Sequence, residues 1–458
     1  MSDETDARNK KFIKMTTAPI EKLVLSLAVP SIAIMIITAL YNMADTYFVS
    51  SLGTSQVGAV GIAFPMMTVI QAIGFFFGQG SGNYMARALG AQNTDSASRM
   101  AATGFVSGFL IMAGIAAIGI IGLGPLVDGL GATQTIHPFA KEYILFILLA
   151  SPWMVAATIL NQQLRFQGSA AIAMTGMLSG AILNIFLDPL FIFVFRLGVK
   201  GAAIATMISQ MVSFIILLLY GATRKGNIPI RLKHFSPSAE RYAEMFRGGI
   251  PTLLRQGLMS VATVVINQFA RPYGDAAIAA ISISNRLSMF ATSMVLGFGQ
   301  GFQPVCGFNY GAKLYGRVKK AFWFCIRFCC TGLLLISIVI AIFAPHIITF
   351  FRKDDLEVIA IGALDLRLHC ISLPFMAGVI MVNMMTQTMG KALEASVVGL
   401  SRQGLFLIPS LFIFGNLFGL FGIQVAKPVA ELASLFIVVP ILMRTLKILS
   451  PKDSINPA

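Results

Sequence analysis

Two carboxylates, Asp45 and Asp188, each lie inside a long apolar stretch of the chain. An ionisable group in such a setting needs a reason, because burying its charge is costly. Asn184 precedes Asp188 by one helical turn, and Tyr41 precedes Asp45 by the same interval, so each pair shares a helix face. Thr206 lies in the next apolar stretch after Asp188. Together these residues offer two carboxylates, an amide and two hydroxyls, all oxygen donors suited to a small hard cation. The same two acids can instead share a proton, since close like charges disfavour double ionisation. A purely structural reading also exists, in which the five groups satisfy one another as interhelical glue. A related one places Asp45 at the water interface, where it costs little.

The elements that must position these groups are membrane spans. The chain has 458 residues, of which 56% are hydrophobic and 12% charged. Its mean hydropathy is +0.80. A soluble protein of this size needs a charged surface, so lipid is the expected solvent. Apolar runs fall near 22–50, 56–84, 100–124, 139–163, 172–195, 200–222, 244–269, 276–302, 320–344, 360–385, 396–416 and 420–448. They are long enough to cross a bilayer and lack strand-like alternation, which predicts an all-α polytopic protein of twelve transmembrane helices. The polar, basic N-terminus precedes a run too long for a signal-peptide core.

Basic residues set the expected orientation. Arg8, Lys10, Lys11, Lys14 and Lys22 precede span one. Arg224, Lys225, Arg231, Lys233, Arg241 and Arg247 cluster between spans six and seven. Lys313, Arg317, Lys319 and Lys320 follow span eight, and Arg444, Lys447 and Lys452 follow span twelve. Residues 51–55, 122–137 and 415–419 carry no Lys or Arg, whereas the loop at 345–359 mixes Arg352 and Lys353 with Asp354, Asp355 and Glu357. The positive-inside rule then puts both termini in the cytoplasm, with the protein in the cell (inner) membrane. The excess of 15 positive charges is read as lipid orientation, so no nucleic-acid partner is expected. With that topology Asp45, Asp188 and Thr206 come to one level in the outer half of the membrane.

An internal repeat divides the chain. Pro30 pairs with Pro251, Gly53 with Gly274, Gly78-Gln79-Gly80 with Gly299-Gln300-Gly301, and Gly90-Ala91 with Gly311-Ala312, all 221 positions apart. Pro152, Asn161 and Gly168 pair with Pro374, Asn383 and Gly390 at 222. The expected domains are an N-lobe at 1–222, a basic linker at 223–243 and a C-lobe at 244–458, related by a pseudo-twofold axis along the membrane normal with a cleft between. Asp45 corresponds to Ile266, and Asp188 falls opposite Pro409 or Ser410. The second half therefore lacks an equivalent acid pair, which assigns ion coupling to the first half. Pro189 directly after Asp188, and Pro30 within span one, mark bends or hinges.

Other intramembrane charges sit in the second half: Arg255, Arg286, Arg367, Lys427 and Glu431. Lys427 and Glu431 are one turn apart and are expected to pair. Arg255 and Gln256 are candidates to face the cleft, Arg255 as a structural or gating ion bridge or as a substrate contact. His369 is a candidate proton carrier or a packed hydrogen-bonding residue. Cys306, Cys325, Cys329, Cys330 and Cys370 form no paired metal pattern and read as small buried hydrophobes. The 24 Met and 36 Phe residues suit a promiscuous binding surface, though many must face lipid. No phosphate-binding GxxxxGK[ST] loop and no catalytic triad pattern occurs, so neither an ATP-driven pump nor an enzyme is expected.

The run Tyr41-Asn-Met-Ala-Asp45-Thr-Tyr-Phe-Val, the Gly78-Gln-Gly segment, Ala88-Leu-Gly-Ala-Gln and Asn184-Ile-Phe-Leu-Asp188-Pro resemble multidrug and toxin extrusion (MATE) transporters over nearly the whole chain. Gly249-Ile-Pro-Thr-Leu-Leu-Arg-Gln256 is similar to the bacterial branch of MepA- and DinF-type proteins. The resemblance implies two six-helix lobes, alternating access and export of amphipathic, often cationic drug-like compounds, the xenobiotic transport that underlies antibiotic resistance. It implies that Asp45, Asn184, Asp188 and Thr206, with Tyr41 adjacent, form a first-lobe proton or metal-cation (Na⁺) site, and that Asn161, Met177 and Gln210 line a drug pocket. Asn383, Arg255 and Gln256 are carried as second-lobe substrate candidates. Branches with acids in spans seven and ten find no counterpart here: those places hold Met259 and no acid near Asn383, although Asp365 lies near the start of span ten. No cofactor beyond the coupling H⁺ or Na⁺ is expected, membrane lipids are the surrounding partners, and the chain is expected to act as a monomer. The rival expectation is a lipid-linked oligosaccharide flippase, which would use Arg255 and Lys427 in a cationic cleft. A receptor or enzyme fits the repeat poorly.

Overall fold

The structure is a computed structural model describing residues 2–223, 228–351 and 355–450. Arg224 and Lys225 of the linker, the loop residues Arg352, Lys353 and Asp354, and Lys452 lie outside the described residues. All regular elements among the described residues are helices. This follows from the apolar surroundings: inside lipid each backbone polar group must be satisfied within its own segment.

A basic helix, Ser2–Thr17, precedes the spans. Spans one to four are Ile20–Ser50, Thr54–Gly90, Thr94–Ile121 and His137–Phe166. Span five is Ala170–Pro189 continued by a π-helical turn at Leu190–Val194, and span six is Gly198–Thr223. Spans seven to ten are Ala239–Ala270, Gly274–Gly311, Tyr315–Phe351 and Leu356–Thr388. The remaining helical stretch, Ala392–Ile448, is 57 residues long, more than twice what one crossing requires. It breaks at Gly419, whose φ of 61° lies in the left-handed region, so it contains spans eleven and twelve. Phe186 (71% exposed), Ile342 (64%) and Phe436 (82%) are large apolar side chains left uncovered by the protein, as a multi-pass membrane protein allows.

The repeat is written into the backbone. Residues with positive φ recur at Gly53 and Gly274, at Gln92 and Lys313, at Gly168 and Gly390, and at Gly198 and Gly419. The last pair shows that the break at Gly419 is the second-half equivalent of the turn between spans five and six.

The chain forms two compact units. The first takes the N-terminal helix and Val29–Gly249. The second takes Pro19–Ala28 and the chain from Ile250 onward. Each unit thus takes a short segment displaced from the other half: 19–28, at the start of span one, joins the second unit, and 239–249, at the start of span seven, joins the first. In the first, a Cβ at Gly80 would collide with the carbonyl of Met245. In the second, a Cβ at Gly301 would collide with the backbone of Ala28. These two glycines, equivalent in the repeat, are where a helix backbone must approach the displaced segment closely. The core of the first unit packs Leu160, Leu164, Phe214 and Leu217 around Trp153. One core of the second packs Ile266, Ile281, Leu407, Leu411 and Ile423.

Candidate functional site

Spans one, five and six of the first unit bring the predicted oxygen donors together. Asp188 is fully buried at 0% exposure, and Asn184 and Thr206 are buried beside it, while Tyr41 and Asp45 are partly buried. Asn184 Nδ2 donates a hydrogen bond to Asp188 Oδ1 at 3.2 Å, the one-turn contact that their spacing predicts. The side chains of Tyr41 and Thr206 come within reach of each other across spans one and six. Asp45 lies within electrostatic reach of Asp188. All five residues thus fall in one neighbourhood.

Three oxygens there are buried without a hydrogen-bond partner: Asp45 Oδ1, Asn184 Oδ1 and Asp188 Oδ2. Unmet acceptors from two spans are costly in a dry site. A proton or small hard cation supplies what they lack, so the donor set fits either as transported cargo. Directly after Asp188, Pro189 and the π turn at Leu190–Val194 interrupt the regular helix ladder. Such turns are frequent at functional sites.

Sequence reasoning missed one member. Tyr143 in span four is 1% exposed and lies within electrostatic reach of Asp45, Tyr41 and Asp188. On the topology expected from the basic loops, the depth argument that selected Thr206 also selects Tyr143, six residues from the start of span four.

The substrate candidates divide differently. Asn161 Nδ2 donates to the Ala173 carbonyl at 3.0 Å, and Asn383 Nδ2 donates to the Ala395 carbonyl at 2.6 Å. Each amide therefore ties its span to the start of the next one, at equivalent places in the repeat. Met177 and Gln210 are partly buried on spans five and six, and Arg255 and Gln256 are partly buried on span seven. Arg286 and Arg367 are exposed. Lys427 Nζ donates to Asn285 Oδ1 at 3.0 Å, while Glu431 approaches Arg402 at 4.0 Å. Spacing alone pairs Lys427 with Glu431; the structure keeps them within electrostatic reach but gives each a further partner.

Known proteins share the repeat and the fold. The MatE family profile matches residues 30–190 and again 251–413, two copies beginning 221 positions apart. The multidrug export protein MepA of Staphylococcus aureus strain MSSA476 is 30% identical over 434 residues, covering 92% of this chain and 94% of that protein. MepA of Staphylococcus saprophyticus is 29% identical, covering 90% of this chain and 92% of that protein. Among solved structures, the outward-facing conformation of a multidrug resistance MATE family transporter of the MOP superfamily superposes with a TM-score of 0.89. It is 26% identical and covers 96% of this chain and 99% of its own. A MOP superfamily transporter from Pyrococcus furiosus, described as having a binding pocket of reverse polarity, gives 0.86 at 26% identity, with 95% and 98% covered. With the MatE profile matched in both halves and a 30% identical relative spanning nearly its whole length, the chain belongs to the MATE family of membrane transporters.

Proposed function

We propose that this protein is a secondary active multidrug efflux transporter that exchanges amphipathic, often cationic organic compounds for H⁺ or Na⁺ by alternating access. The observation that carries the reading is the buried Asp45–Asp188 neighbourhood with its three unmatched oxygens. Export of drugs is the printed activity of the MepA relatives. In the cycle, an ion enters the acid pair from outside and lowers its negative charge by one. That changes the contacts of spans one and five, where Pro30, Pro189 and the π turn provide the bends. The drug leaves, and the loaded transporter turns inward and releases its ion. The basic N-terminus and inter-half linker support cytoplasmic termini in the cell membrane. The flippase reading gains no support from Lys427, which is engaged with Asn285 inside the second unit.

The test is ion-driven drug efflux from proteoliposomes. Asp188→Asn is expected to lower gradient-driven efflux to the level of protein-free liposomes. Full retention of driven efflux by that variant refutes the assignment.

A further inference from the structure

The second lobe holds a counterpart of the acid cluster at the same place in the repeat, with different chemistry. Ile266 stands 221 positions after Asp45, and Lys427 stands 221 after Thr206. Asp365 stands 222 after Tyr143. The structure gathers Ile266, Lys427 and Asp365 around one small cavity, with Asn285 and His369, against a wall of leucine and isoleucine. This place is separate from Met259, which precedes Ile266 on span seven, and from Asn383, which follows Asp365 on span ten.

Asp365 is 1% exposed, and its Oδ2 has no hydrogen-bond partner. His369, one turn later on span ten, places Nε2 3.9 Å from Asp365 Oδ1. Its Nδ1 is bonded to Ser288 Oγ of span eight at 3.1 Å. Ser284, also on span eight, lies within reach of Asp365 and donates to the Gly362 carbonyl at 3.3 Å. From span twelve, the Lys427 ammonium lies within electrostatic reach of both Asp365 and Glu431. Glu431 is next to Arg402 of span eleven, and Arg255 of span seven is within reach of Arg402. The charged surroundings of Asp365 are therefore Lys427, then Glu431 and Arg402, then Arg255, with His369 the remaining titratable neighbour.

Two opposed forces act on this carboxyl. Leaving an ionised, incompletely bonded carboxylate in a dry site is unfavourable. The Lys427 ammonium offsets part of that cost. In the first lobe the equivalent position is the hydroxyl of Thr206, a ligand for a mobile cation. In the second a tethered cation stands there, and its charge repels any metal ion. The cavity is also too small for a drug.

We infer that Asp365 is a proton-binding site of the second lobe, which exchanges a proton against the fixed charge of Lys427 and takes no metal cation. The site is independent of the first-lobe acid pair and of whether that pair uses H⁺ or Na⁺.

The test is pH-difference infrared spectroscopy of the full-length protein in lipid nanodiscs, reading the stretch of protonated carboxyl groups. A component is expected that Asp365→Asn abolishes and Asp188→Asn leaves in place. Sodium at fixed pH should leave it unchanged. Lys427→Met removes the stabilising ammonium, so in that variant the component should persist to higher pH. The inference is overturned if the Asp365→Asn spectrum superimposes on that of the unmodified protein, or if sodium removes the component. Should Asp365→Asn not yield folded protein, Lys427→Met decides: an unchanged pH dependence of the component overturns the inference.

Discussion

Asn161 and Asn383 illustrate what a single residue contributes here. Each spends an amide donor on the carbonyl of a residue 12 positions later, across the short turn that follows its span. Replacing either by Ala removes that tie while the carbonyl keeps its helical partner, a loss of about 0.5–1.5 kcal/mol. Thermal unfolding in detergent should therefore show a lower Tm for both Asn161→Ala and Asn383→Ala, by similar amounts. A change confined to drug affinity, with Tm unmoved, contradicts the role as a tie. The pairing of these residues was legible from the 222-residue register, but the direction of the amides was not, because a repeat fixes position along a helix and leaves rotamers open. Tyr143 was legible in principle from depth. It escaped because a lone tyrosine in an apolar span reads as packing, and only the fold brings it to Asp45 and Asp188.

At the scale of elements, the N-terminal helix has a measurable pH dependence. Lys11 Nζ donates to Ser169 Oγ at 2.6 Å, at the turn between spans four and five, and Met15 is buried beside Gly168. Burial, and next the neighbouring Lys14 charge, push the Lys11 ammonium down from 10.5 to about 7. The undocked helix keeps its proton up to the ordinary lysine range, so between about 7 and 10.5 the docked state binds fewer protons. Docking must then strengthen as pH rises through that window and be weakest below about 7, where both states are protonated. Hydrogen exchange of Ser2–Thr17 should slow as pH rises, after correction for intrinsic rates, and Lys11→Met should abolish the trend. An identical trend in Lys11→Met contradicts it. Composition announced the spans, since stretches of such hydropathy and length have no alternative in lipid. The helix at Ser2–Thr17 gave no such signal, being polar overall. The π turns at Leu190–Val194 and Ser401–Phe406 were equally hidden, because they arise where neighbouring helices shape the ladder.

For the whole molecule, the informative feature is an asymmetry laid over a repeat. The two halves share left-handed turns at equivalent positions, from Gly53 and Gly274 to Gly198 and Gly419. They also share close-approach glycines at Gly80 and Gly301. Their polar clusters differ: two carboxylates with hydroxyls in the first, one carboxylate with a lysine in the second. Aligning the acids alone made the second half look empty, since Ile266 stands opposite Asp45. The fold shows that Asp365 reaches the equivalent place from the position of Tyr143, on a different span. Such an exchange of spans conserves the location of a charge while changing which helix carries it, and only three-dimensional contacts reveal it.

The acid pair is the centre of the functional account, and equilibrium binding tests it most directly. Affinity for a fluorescent cationic dye would be measured on purified protein while pH and Na⁺ are varied separately. If the ion and the drug oppose each other through Asp45 and Asp188, loading the ion weakens dye binding, by roughly 5–150-fold for typical coupling free energies. That dependence should vanish in Asp45→Asn and in Asp188→Asn, each binding dye with one ion-independent affinity. Variants that bind the dye with the same ion dependence as the unmodified protein would contradict the account.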